Sequence, residues 1–213
     1  MLNERLQGLI MDQRTLTRSL NTLAKRDEAL KEALAVYGKP TPRQRPEGFE
    51  KFVNTVVAQQ ISTHAASAIM GRVKKLLPRC TPRMLLEASE TDLRAAGLSF
   101  RKIEYLQGLA EAELSGALGI KTLGSLSDEE AIERVVQLRG FGRWSAEIYL
   151  MFSLDRRDIF PADDLALQVA LGRLRKLDHR PTAGESRRLT ESWAPYRTAG
   201  SLFLWHYYQG QPL

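Results

Sequence analysis

Apolar side chains return every three or four positions along most of the chain, and no stretch alternates apolar and polar residues for more than a few positions. Recurrence near 3.6 residues is what an amphipathic helix requires, whereas a half-buried strand requires a period of two. The chain is therefore expected to be all-α. Over Arg14–Val36 the spacing is set by Leu16, Leu20, Leu23, Ala24, Leu30, Ala33 and Leu34, which reads as one helix ended by Gly38. From Phe49 onward Phe52, Val53, Val56, Val57 and Ile61 set it again, densely enough for a core helix. The polar run Gln59-Gln60-Ile61-Ser62-Thr63-His64 interrupts that second pattern and reads as a junction between two helices, with Ser62 or Thr63 as N-cap.

Shorter helices are expected to start at Thr81-Pro82, at Thr91 and at the capping box Ser127-Asp128-Glu129-Glu130. Ile103–Leu114 is a further helical stretch, and Lys39–Pro46 reads as a proline-rich, basic surface connector. With 213 residues the chain suits one domain built as two lobes. One lobe is expected over about 49–135, the other over about 1–48 plus 136–213, with a cleft between them.

Composition narrows the function classes. The 31 Lys plus Arg against 25 Asp plus Glu give a net charge of +6, which suits a polyanionic partner without requiring one. Cys80 is the single cysteine, so no internal disulfide forms and no four-cysteine zinc or iron–sulfur site is possible. No apolar run reaches the ~20 residues that span a bilayer, and charges are scattered through the first residues, so no membrane association and a cytoplasmic location (at the nucleoid, if the source is bacterial) are expected. His64, His179 and His206 show no metal-ligand spacing.

Two motifs carry chemistry. In Leu138-Arg139-Gly140-Phe141-Gly142-Arg143-Trp144-Ser145, two glycines one residue apart lie between helices. A tight hairpin there would aim backbone N–H groups and the next helix's positive dipole end at a phosphate, with Arg143 adding charge. Its carbonyls would be free to hold a monovalent cation. The same residues also suit an ordinary glycine-rich turn. The second motif is Asp163-Asp164, which follows an apolar stretch and precedes a helical pattern. One carboxylate would cap the helix; the other, kept ionised by the helix N-terminus, would face a cleft and stabilise an oxocarbenium-like sugar. A purely capping pair is the plainer alternative.

Taken in order, Gln59-Gln60-Ile61-Ser62, Gly97-Leu98-Ser99-x-x-Lys102, Leu138-x-Gly140-x-Gly142-Arg143-Trp144 and Asp163-Asp164 resemble the helix–hairpin–helix DNA glycosylases. The closing Trp193-x-Pro195-Tyr196-Arg197 and Trp205 point within them to the DNA-3-methyladenine glycosylase II branch. The resemblance covers about Phe49 to the C-terminus. It implies that Asp164 is the catalytic carboxylate and Asp163 its supporting cap. It implies a base pocket of Trp144, Trp205, Ile148 and Leu165, the last two standing where a bacterial member of the branch carries tyrosine. It assigns DNA contact to Gly140, Gly142, Arg143, Ser145, Gln59, Gln60, Ile61 and Lys102, with Gln60 or Ile61 as the wedge that fills the gap left by a flipped base.

Relatives that also cut the strand carry a lysine at the position of Trp144, so the resemblance implies a monofunctional enzyme that needs no cofactor. The implied substrate is duplex DNA containing alkylated purines such as 3-methyladenine or 7-methylguanine, and a monomer suits an enzyme that scans DNA. Two rival readings stand beside this one: a non-catalytic module that binds damaged DNA, and a glycosylase for deaminated or oxidised bases.

Overall fold

The computed structural model describes residues 11–42 and 48–210; Arg43, Gln44, Arg45 and Pro46 of the expected connector lie outside them. In chain order the helices are α1 (Gln13–Ala24), α2 (Glu28–Tyr37), α3 (Phe49–Ala58), α4 (Thr63–Leu76), α5 (Pro82–Glu87) and α6 (Glu90–Ala95). They continue with α7 (Phe100–Leu114), α8 (Asp128–Val136), α9 (Arg143–Phe152), α10 (Leu165–Leu174), α11 (Ala183–Leu189) and α12 (Arg197–Gly210). Two short 3-10 turns complete the set, and the described residues contain no strand. Among the described residues no helix is long and apolar enough to cross a membrane.

Two compact units result, one formed by Met1–Gln44 with Leu150–Leu213, the other by Arg45–Tyr149. The second boundary falls after Tyr149 rather than after Val135, where the sequence suggested it. The cause is aromatic packing. The ring of Phe52 on α3 stacks on Tyr149 at 4.1 Å and meets Phe141 of the hairpin edge-on at 5.6 Å. All three rings are buried, which fastens the hairpin and the first part of α9 to α3.

The expected helix over Arg14–Val36 is two helices, because Asp27 leaves helical register to cap α2. Its carboxylate accepts from the Leu30 amide at 3.1 Å, from Trp193 Nε1 at 2.7 Å and from both terminal nitrogens of Arg175. Only 6% of Asp27 is exposed. Burial pushes its carboxyl up, but the bonds from Arg175, Trp193 and Leu30 outweigh that and hold it below the ordinary carboxylate range. A charge buried this deeply is tolerated because every donor it needs is present.

Most other starts follow the sequence. Ser62 caps α4, Thr81 caps α5 ahead of Pro82, and Ser127 with Glu130 forms a complete capping box on α8. α6 begins earlier than expected, because Ser89 rather than Thr91 accepts the cap bond, from Asp92 N at 3.1 Å. α7 likewise begins at Phe100, where Ser99 caps it.

Candidate functional site

The hairpin between α8 and α9 closes through the Phe141 amide, which donates to the Leu138 carbonyl at 3.0 Å. Gly140 sits at φ +90°, and a Cβ there would lie 2.3 Å from the Tyr105 ring. Left-handed backbone and an abutting ring both demand glycine at this position. Gly142 differs: a Cβ would meet nothing within 4 Å, so nothing inside the protein requires glycine there. Two hairpin carbonyls already accept hydrogen bonds, Leu138 from Phe141 and Gly140 from Gln59 Nε2 at 2.7 Å. No cluster of three His, Cys, Asp or Glu side chains among the described residues is arranged to hold a metal.

Arg143, expected to meet a phosphate, is held by two carboxylates. Its Nη1 and Nη2 reach Glu129 at 2.7 and 2.8 Å, and its Nε reaches Glu147 at 3.0 Å. The bonds to Glu129 hold the guanidinium firmly protonated. Arg139 is likewise paired, with Glu104. Ser145, also expected at the DNA, is 7% exposed, because the first turn of α9 places its hydroxyl on the packed face. Only its main-chain N–H lies at the helix mouth.

The loop joining α3 to α4 is braced at its α3 end. Gln59 ties it to Gly140, and Lys102 Nζ donates to the Val57 carbonyl at 2.7 Å in the last turn of α3. Lys102 thus spends one of its donors inside the unit, and burial pushes its ammonium pKa down. Gln60 follows directly after these braces at φ +58°, exposed, beside Ile61, which is 37% exposed. A concavity of about 1100 Å³ in this unit is lined by Gln60, Ile61, Lys102, Gly140, Trp144 and Ile148. Trp144 is 40% exposed there, and Ile148 is nearly buried.

Asp164, Leu165 and Trp205 belong to the other unit. The roles expected within the acidic pair are rearranged. Asp164 itself is the N-cap of α10, its Oδ1 accepting the Leu167 amide at 3.0 Å and Trp205 Nε1 at 3.1 Å. Asp163 is not the cap; it is exposed and pairs with Arg187 at 3.1 Å. The extended backbone of Asp164 (φ −75°, ψ 119°) turns its carboxylate back over the first turn, where Asp163 cannot reach. Leu165, the first residue of α10, is 56% exposed. Trp205 stacks on Phe152 at 5.8 Å, which fixes its ring while its N–H serves the carboxylate. His206 Nε2 donates to the Tyr37 carbonyl at 2.8 Å, a packing role.

Sequence reading missed Tyr105, Glu129 and Glu147. The i,i+4 spacing of Arg143 and Glu147 was a usable signal for an intrahelical pair. Tyr105 and Glu129 gave none, since their contacts depend on how α7 and α8 pack.

A family model described as the HhH-GPD superfamily base excision DNA repair protein matches residues 53–195. The chain is 36% identical to DNA-3-methyladenine glycosylase 1 of Schizosaccharomyces pombe, over 90% of this chain and 87% of that one. A structure of the S. pombe 3-methyladenine DNA glycosylase in complex with abasic DNA superimposes with a TM-score of 0.77 at 35% identity, covering 88% of this chain and 95% of that one. A DNA-3-methyladenine glycosidase from Bacillus halodurans superimposes with a TM-score of 0.82 at 32% identity, covering 90% and 89%.

Proposed function

The chain belongs to the HhH-GPD superfamily of base excision DNA repair proteins, and from that premise we propose that it is a monofunctional DNA glycosylase that removes alkylated purines from duplex DNA. The observation that carries the reading is Asp164, an acidic N-cap whose Oδ1 is held by both the Leu167 amide and the Trp205 indole.

The chemistry follows from that carboxylate. Alkylation at a purine ring nitrogen leaves the base cationic, so the base departs as a neutral molecule once it takes the bonding pair of the glycosidic bond. The sugar is left with oxocarbenium character, and an anion nearby lowers the energy of that state. Water adds to C1′ and loses a proton, giving a free base and an abasic site. Little acid catalysis is needed, because the substrate already carries the charge. Trp144 occupies the place of the lysine that strand-cutting relatives use as a nucleophile, so no Schiff base forms at that position. The indole faces of Trp205 and Trp144 suit a cationic base.

DNA contact is assigned by the same logic. Extruding a nucleotide costs a few kcal/mol, and a side chain filling the gap offsets lost stacking. Gln60 and Ile61, exposed on a loop braced at its α3 end, suit that role. Gly142, with open space where a Cβ would be, lets a phosphate approach the main chain at the mouth of α9.

The test is single-turnover release of methylated bases from alkylated duplex DNA by the wild type and by Asp164→Asn. Asparagine keeps the cap on α10 and removes the charge. Release by the wild type, with binding but almost no release by the variant, supports the reading. Binding without release by both proteins would leave a damage-binding module in its place. Release of hypoxanthine, uracil or 8-oxoguanine in preference to methylated bases would move the substrate class.

A further inference from the structure

Both arginines of the Leu138–Arg143 hairpin are paired with glutamates, Arg139 with Glu104 and Arg143 with Glu129 and Glu147. The two clamps on Arg143 are unlike. Glu147 lies one helical turn along α9, its side chain 4% exposed, and holds Nε. Glu129 comes from the first turn of α8, its side chain 58% exposed, and takes both terminal nitrogens side by side. We propose that Glu129 is an exchangeable stand-in for a DNA phosphate on Arg143, and that it limits how tightly the hairpin holds undamaged duplex. The proposal rests on the reading that this chain binds DNA through its hairpin.

A carboxylate on the two terminal nitrogens occupies the fork that a phosphate would take, with the same planar geometry. The exchange is easy at one end only. Glu129 is solvated on release, so an exposed pair of this kind is readily given up. Glu147 stays buried on Nε and keeps the guanidinium at the start of α9, next to Gly142 and the helix N-terminus where an anion is favoured. The Glu129 carboxylate occupies both terminal nitrogens of Arg143, so it opposes an approaching phosphate until it moves aside. A scanning protein gains from that arrangement, because weak holding of undamaged DNA allows release and continued search.

The test measures affinity for undamaged duplex across a salt series by fluorescence anisotropy. It compares the wild type with Glu129→Gln and Glu129→Ala. Glu133→Gln makes the same charge change at an exposed position of α8 that the hairpin arginines do not use. Both Glu129 variants are expected to bind several-fold tighter than Glu133→Gln at moderate salt. Their log–log salt dependence should match that of Glu133→Gln, because Arg143 meets the same phosphate in each complex once Glu129 is displaced or absent. In an Arg143→Ala background the advantage of Glu129→Gln over Glu133→Gln should vanish. Equal affinity for the Glu129 and Glu133 variants, or weaker binding by the Glu129 variants, would overturn the exchange and leave Glu129 as a brace of the hairpin. Absence of duplex binding by the wild type would overturn the DNA reading itself, and this proposal with it.

Discussion

Trp205 donates its indole N–H to Asp164 Oδ1 at 3.1 Å, and the Leu167 amide donates to the same oxygen at 3.0 Å. Two donors from different directions fix the plane of the carboxylate as well as its position. Trp205 is then a positioning residue as well as an aromatic surface. Trp205→Phe keeps a ring against Phe152 and removes only the donor. Single-turnover base release is expected to fall by about 10- to 100-fold, the scale of a small displacement of a reacting group, with affinity for DNA containing an abasic-site analogue little changed. Unchanged release would mean that the group is oriented without Trp205.

The two hairpin glycines are predicted to fail in different ways. Gly140→Ala forces a Cβ into Tyr105 at a left-handed position and should destabilise the protein by about 2–4 kcal/mol. Gly142→Ala meets open space, so its melting temperature should stay within a degree or two of wild type while affinity for duplex DNA drops. Thermal melts and anisotropy on the same two samples separate the roles. Equal melting temperatures for both variants would remove the contrast.

This contrast also marks how far the sequence could be read. The helical class, the break at Ser62 and the capping box at Ser127 were legible because each depends on residues a few positions apart. The roles of Asp163 and Asp164 were not, since which of two adjacent carboxylates caps a helix turns on one ψ angle. The break at Asp27 was hidden because its reason, Arg175 and Trp193, lies more than a hundred residues away in sequence. Arg143 and Lys102 were expected to face DNA as cations next to a binding motif. Their partners, Glu129 and the Val57 carbonyl, are supplied by packing, which no local pattern records.

Asp27 gives a pH prediction with a definite sign. Its carboxyl is held below the ordinary range in the folded protein, so the folded state favours the ionised form more than the unfolded chain does. The stability it contributes is complete above the unfolded pKa, near 4, and is lost as the pH falls through the lower folded value. Asp27→Asn leaves Arg175 without its carboxylate and should cost about 2–4 kcal/mol at pH 7. Urea unfolding of the two proteins from pH 7 to pH 3 should show that gap shrinking below about pH 4. A gap constant over the whole range would mean that packing, not charge, accounts for the loss.

The loop between α3 and α4 separates bracing from wedging. Gln59→Ala removes the bond to the Gly140 carbonyl, and Lys102→Met removes the bond to the Val57 carbonyl. Each loses one partly buried hydrogen bond worth about 1 kcal/mol. Amide exchange across residues 59–62 should therefore speed up roughly fivefold in both variants. Gln60 makes no such brace, so Gln60→Ala should leave that exchange rate as it is. Base flipping, followed by the fluorescence of 2-aminopurine placed opposite or beside the damaged base, should weaken in all three. In the brace variants it weakens because the loop moves; in Gln60→Ala it weakens because the gap is left unfilled. Full flipping by Gln60→Ala, with Ile61→Ala deficient instead, would transfer the wedge to Ile61, whose side chain is exposed on the same loop.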